Sequence, residues 1–90
     1  MPESKVVLIN PLGLHARAAA KIVKIANESE SVIQVERPSR MKRSDAGSIL
    51  GLLGLGAKLG STLIIRADGQ DADRVVRDIV DLINRGFEEI

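Results

Sequence analysis

The stretch ADRVVRDIVDLINR, Ala72 to Arg85, places Ala72, Val75, Val76, Ile79, Leu82 and Ile83 on one face of a helix. Gly86 follows at the position where a left-handed residue commonly ends such a helix. A helix with so complete an apolar face is stable only when another layer covers it. The chain has 90 residues, enough for a single domain over 1–90 with one modest core burying about two thirds of its unfolded surface. Candidates for that layer lie in the preceding 71 residues.

Those residues offer strands. Lys5 to Ile9 is a β-branched run ended by Asn10-Pro11, and Val32, Ile33 and Val35 mark a second strand. Arg37-Pro38-Ser39-Arg40 reads as a turn, Met41 to Ser44 as a short polar edge strand, and Thr62 to Ala67 as a fourth strand closed by Asp68-Gly69. Between them, Ala16 to about Asn27 carries Ala19, Ile22, Val23 and Ala26 at helical spacing, with Arg17, Lys21 and Lys24 as a basic stripe on another face. Ser48 to Leu55 reads as a short helix capped by Ser48. The order β-α-β-β-α-β-α predicts an α+β fold, a mostly antiparallel sheet with helices packed on one face.

Composition removes several function classes. The hydrophobic fraction is 44% and almost wholly aliphatic, because Phe87 is the sole aromatic residue, so the stacking platforms of single-strand nucleic-acid binders are missing. There is no cysteine and one histidine, which excludes disulfides and thiolate metal sites and argues against zinc; no cofactor is expected. The formal charge is +1, so electrostatic function has to be local. Met1-Pro2-Glu3-Ser4-Lys5 lacks a signal-peptide layout, and the run Ile49 to Ala57 is far short of the roughly 20 residues of a membrane span, so a cytoplasmic protein without membrane insertion is expected.

Two motifs fail on inspection. GLLGLG at Gly51 to Gly56 has its glycines in the reverse of the dinucleotide order, and Ala57 stands where a Walker A loop needs lysine. Arg37, Arg40, Lys42 and Arg43 form a basic rim that suits nucleic-acid phosphates, but a solvated hairpin rim explains it as well without any aromatic signature.

LGLHARAAAKIVK, Leu12 to Lys24, carries the one informative oddity: His15 stands at a helix start where Ser, Thr, Asp or Asn is normal. A helix start without a capping side chain exposes N–H groups and partial positive charge, a ready phosphate cradle. Arg17 adds a guanidinium suited to phosphate oxygens. The same field favours neutral imidazole and keeps a ring nitrogen nucleophilic, so the chemistry implied is phosphoryl transfer onto His15.

GLHARAA at Gly13 to Ala19, and GSILGLLGLGAKLGSTLIIRADGQDA at Gly47 to Ala72, together resemble the phosphorylation motif and the regulatory-serine segment of the HPr family. These are the histidine-containing phosphocarriers of the bacterial phosphoenolpyruvate-dependent phosphotransferase system. The resemblance implies an open-faced β-sandwich of four antiparallel strands covered by three helices. It implies a monomeric carrier, not a stand-alone enzyme, that takes a phosphoryl group from enzyme I on Nδ1 of His15 and passes it to enzyme IIA components. Arg17 matches the phosphate-stabilising arginine, and Ser48 the serine modified by an HPr kinase/phosphorylase. Ala18 replaces the proline of most sugar-branch members, and the segment before Ser48 is about two residues longer than in common ones. Ala18, the leucine-rich GLLGLG and the NRGFEEI tail also resemble the nitrogen-related branch, which carries phosphate for regulation instead of sugar uptake.

If Leu52 and Leu55 enter the core, Ile49, Leu50 and Leu53 cannot all follow. By the resemblance, this patch and the stripe Arg17, Lys21 and Lys24 flank His15 and meet acidic-rimmed partners. A nucleic-acid module using the Arg37 to Arg43 rim is the alternative.

Overall fold

The computed structural model describes residues 2–89; Met1, used above for the N-terminal reading, and Ile90, which ends the tail motif, lie outside the described residues. Seven main elements follow the expected order: β1 (Glu3–Val7), α1 (Ala16–Asn27), β2 (Val32–Arg37), β3 (Lys42–Asp45), α2 (Ile49–Gly54), β4 (Thr62–Asp68) and α3 (Ala72–Asn84). Short 3-10 turns at Pro38–Arg40 and Gly86–Glu88 complete the set. The four strands form one antiparallel sheet in the order β1-β4-β2-β3.

Register follows from burial. On β4, Leu63, Ile65 and Ala67 are buried and alternate with half-buried Thr62, Ile64 and Arg66. Pairing sets Val6 opposite Leu63, Val35 opposite Ile65 and Ile33 opposite Ala67, so every buried strand residue falls on one face. That face receives the predicted α3 positions, all six of them buried, together with Ala18, Ala19 and Ile22 of α1 and Leu52 of α2. Full burial of each Val, Leu or Ile side chain is worth about 1.5–3 kcal/mol. The opposite face is open and carries Arg66 paired with Glu3 and Glu36 across three strands.

Several boundaries move. The first strand begins at Glu3 and not Lys5, because Glu3 pairs with Arg66 and the Ala67 N–H donates to the Pro2 carbonyl. The third runs from Lys42 to Asp45, since Met41 is left-handed (φ 53°) at the end of the Pro38–Arg40 turn and cannot enter a strand. In α1 the deepest face is Ala18, Ala19 and Ile22, while Val23 and Ala26 are only half-buried. Gly86 does take the left-handed conformation (φ 64°) just beyond α3.

Away from the helix starts of α1 and α2, Asp71 joins the sheet to α3. Its carboxylate accepts from the Ser31 and Ser29 hydroxyls, the Glu30 N–H and Arg74. The Ser31 hydroxyl first, then the Glu30 N–H, Ser29 and Arg74, outweigh partial burial and lower this carboxyl from 3.8 to about 2. A lowered carboxyl stabilises the fold above its unfolded value, and that contribution fades as pH falls toward 2. Asp71→Ala is therefore expected to melt earlier at neutral pH and to lose less stability than the parent between about pH 4 and 2. Parallel acid-unfolding curves for the two proteins would contradict this linkage.

Candidate functional site

The chain leaving β1 is tied down before it reaches His15. The Gly13 N–H donates to the Asn10 carbonyl (3.0 Å), and the buried Asn10 amide donates back to the Gly13 carbonyl (2.8 Å). Leu14 is buried, and its N–H donates to the Ala57 carbonyl (3.1 Å). Gly13 is left-handed (φ 62°), and a Cβ there would lie 2.7 Å from both the Ala57 carbonyl oxygen and Lys58 Cα. Only glycine permits this approach of the loop to the segment before β4.

His15 follows in extended conformation (φ −86°, ψ 178°) as the N-cap of α1. Its carbonyl accepts from the Ala19 N–H (2.8 Å), but its side chain makes no capping hydrogen bond, and the first turn contains no acidic residue. Ala16 and Arg17 at that turn are exposed, so unpaired N–H groups and a guanidinium face solvent together. Arg17 and Lys21 line an open depression with Pro11, Leu12, Glu88 and Glu89.

The imidazole has a partner that the sequence did not announce. His15 Nε2 contacts the Glu89 carboxylate, whose other oxygen accepts from the Asn10 amide (2.9 Å). The His15 side chain is 23% exposed and that of Glu89 17%. Gly86, Phe87 and Glu88 are successively left-handed (φ 64°, 56° and 65°) and turn the chain back over the end of α1. The turn is held by the fully buried Phe87 ring and by Lys21, whose ammonium donates to the Phe87 carbonyl. Burial alone would raise the Glu89 carboxyl, but hydrogen bonds from Asn10 and His15, with the charge of Lys21 and that of His15 when the ring is protonated, hold it below its ordinary value.

The remaining candidates divide between two elements. Lys24 is exposed one turn beyond Lys21 on α1. Ser48 caps α2, its hydroxyl accepting from the Gly51 N–H (3.0 Å). Leu52 and Leu55 enter the core, leaving Leu50 83% exposed and Ile49 41% exposed, while Leu53 is half-buried against the core. Because α2 packs on α1, both candidate surfaces belong to the helical layer. In the basic rim, Arg37 donates to the Leu55 and Gly56 carbonyls (3.0 and 2.9 Å) and Lys42 to Gly54 (3.4 Å). Two of its four cations thus close the end of α2. Asn10, Phe87 and Glu89 were not singled out for the site from sequence; a polar Asn-Pro ending an apolar run is the one local sign of the first, and Glu89 has no periodicity to mark it.

Comparison with known proteins points in one direction. A family model described as "PTS HPr component phosphorylation site" matches residues 2–85. The chain is 39% identical over 87 residues to phosphocarrier protein NPr of Shewanella violacea, covering 97% of this chain and 93% of that protein. It is 37% identical over 89 residues to phosphocarrier protein HPr of Pseudomonas aeruginosa, covering 99% and 98%. A crystal structure of HPr-C-His from Thermoanaerobacter tengcongensis superposes with a TM-score of 0.93 at 37% identity, covering 100% of this chain and 99% of that one.

The close approach at Gly13 sets an internal contrast. Gly13→Ala is expected to cost at least about 1–3 kcal/mol from backbone strain, before any clash with Ala57 and Lys58. Gly54→Ala meets nothing within 4 Å and is expected to be neutral or to gain up to about 1 kcal/mol in helix propensity. Urea titrations of both variants decide it, and equal stabilities would show that the loop does not need glycine at 13.

Proposed function

The chain belongs to the HPr family of phosphocarrier proteins, and from that membership we propose that His15 is the phosphoryl acceptor of a relay running from enzyme I to enzyme IIA components. The observation that carries this reading is the start of α1: a histidine in the N-cap position without a capping bond, followed by an exposed first turn with Arg17. An incoming phosphoryl group bonded to the ring meets the N–H groups of that turn and the Arg17 guanidinium. The N–H groups are fixed by the helix before the reaction, so their share of the charge developing on the equatorial oxygens is stabilised without reorganisation, and the exposed Arg17 side chain closes on the phosphate. Nδ1 is the reacting atom by the family resemblance; Nε2 is engaged by Glu89.

Docking in this reading uses Arg17, Lys21 and Lys24 with Ile49, Leu50 and Leu53. Exposed Leu50 and Ile49 supply apolar contact, and Lys24 and Arg17 steer acidic-rimmed partners. The protein acts in the cytoplasm as a monomer, without cofactor; no helix among the described residues is long and apolar enough to cross a membrane. Ser48 is the regulatory phosphorylation site for an HPr kinase/phosphorylase.

A second reading, the nitrogen-related branch, is favoured by Ala18, fully buried where most sugar-branch members have proline, and by a relative named NPr. Assaying phosphoryl transfer from the loaded protein to purified sugar-specific and nitrogen-related enzyme IIA proteins distinguishes the two.

Phosphoenolpyruvate with enzyme I is expected to add one phosphoryl group, acid-labile and alkali-stable, read by intact mass; unchanged labelling of His15→Ala would sink the assignment. Arg17→Ala should fold normally and transfer about a hundredfold more slowly, as for loss of one transition-state donor. Wild-type rates would leave the N–H groups as the sole phosphate site.

Ser48→Asp keeps an oxygen at the α2 cap and adds negative charge there, so its melting temperature should hold or rise slightly, by about 0.3–1 kcal/mol of stability. The same charge beside Ile49 and Leu50 must be desolvated on docking, and enzyme I phosphorylation should fall about tenfold or more. Normal melting with unimpaired transfer, repeated with authentic phosphoserine, would remove this patch from the docking face.

A further inference from the structure

The C-terminal turn does something that the phosphoryl-acceptor reading does not require. Three consecutive left-handed residues, two of them not glycine, are an unfavourable way to end a chain, and they are maintained here by the buried Phe87 ring and the Lys21–Phe87 bond. What they deliver is one carboxylate. Glu89 is held by Asn10 on one oxygen and presents the other to Nε2 of His15. A carboxylate accepts hydrogen bonds and cannot donate one, so the ring nitrogen facing it is the protonated one. In the neutral ring that arrangement leaves the lone pair on Nδ1.

We propose that Glu89 is a positioning residue for phosphoryl transfer: clamped by Asn10, it holds the proton on Nε2 of His15 and so directs the phosphoryl group to Nδ1. This rests on His15 being the acceptor. In the step itself the Nδ1 lone pair forms the N–P bond while the electron pair of the donor's bond to phosphorus leaves with the donor. No proton moves. The neutral form of the ring is the one that can attack; it acquires formal positive charge because its Nε2–H is retained, and Glu89 lies against that charge. A group that fixes the ring's protonation pattern and meets its new charge acts through His15 without touching phosphate. Asn10, paired to both Glu89 and the Gly13 carbonyl, ties its orientation to the loop that places His15.

The test uses the full chain with 15N-labelled histidine, Glu89→Gln and Glu89→Ala, and enzyme I with phosphoenolpyruvate. In the parent, imidazole 15N shifts should report a protonated Nε2 and an unprotonated Nδ1. Glu89→Ala should move those shifts toward a mixture of the two forms and slow phosphorylation about tenfold, the kinetic equivalent of one lost charge-assisted hydrogen bond. Glu89→Gln, similar in shape but neutral and able to donate, should stay folded yet show the same direction in both readouts. Wild-type shifts and rates in either variant, or faster phosphorylation in Glu89→Ala, would overturn the proposal. The shifts are read on unphosphorylated protein, so failure of the parent to accept phosphate is a separate result that strikes the acceptor reading alone.

Discussion

Leu63, Ile65 and Ala67 of β4 are buried against α3 and flanked by the buried residues of β1 and β2, and the rest of the chain is arranged to keep them so. The central strand touches both neighbours through side chains on one face, which fixes register twice over. Aliphatic side chains supply nearly all of this core. The one aromatic ring, Phe87, is fully buried near the end of the chain, so core packing and the position of Glu89 are physically one problem.

Elements with strong local periodicity were legible in the sequence. The buried face of α3 is the set of residues that its spacing marks, and β4 alternates as a half-buried strand should. Elements governed by backbone exceptions were less so: Met41 adopts a left-handed conformation that no neighbouring residue signals, and the third strand shifts by one residue as a result. The site shows the same division. His15, Arg17 and Ser48 stand out because each is defined within one turn of a helix. The Asn10–Glu89–His15 arrangement joins residues 74 and 79 positions apart and depends on three left-handed residues in succession, a long-range outcome of packing Phe87.

Three helix starts put the same physics to three uses. At α1 the capping position is given to an imidazole that leaves the N–H groups open, and at α2 a serine hydroxyl closes them. At α3 the N-cap residue, Asp71, makes no capping bond to its own helix and turns its carboxylate on Ser29, Glu30 and Ser31. The Asp71 carboxylate thus ties the start of α3 to residues 29–31, while α1 retains uncapped N–H groups at the surface. Open donors are tolerable there because water satisfies them.

The six-residue α2 contains Gly51 and Gly54, and a Cβ at Gly51 would lie 2.0 Å from the Ser44 hydroxyl oxygen, which would have to turn away. Glycine lets α2 sit close on β3 but gives it little reason to be helical by itself. Its order is borrowed from outside, from Leu52 and Leu55 in the core and from Arg37, which grips the carbonyls at its far end. A binding screen scored residue by residue would therefore rank Arg37 as a contact for any partner that rests on α2. The arginine would earn that rank as scaffolding, by fraying the helix when it is lost, and the map of an interface on this protein would extend to side chains that never reach it.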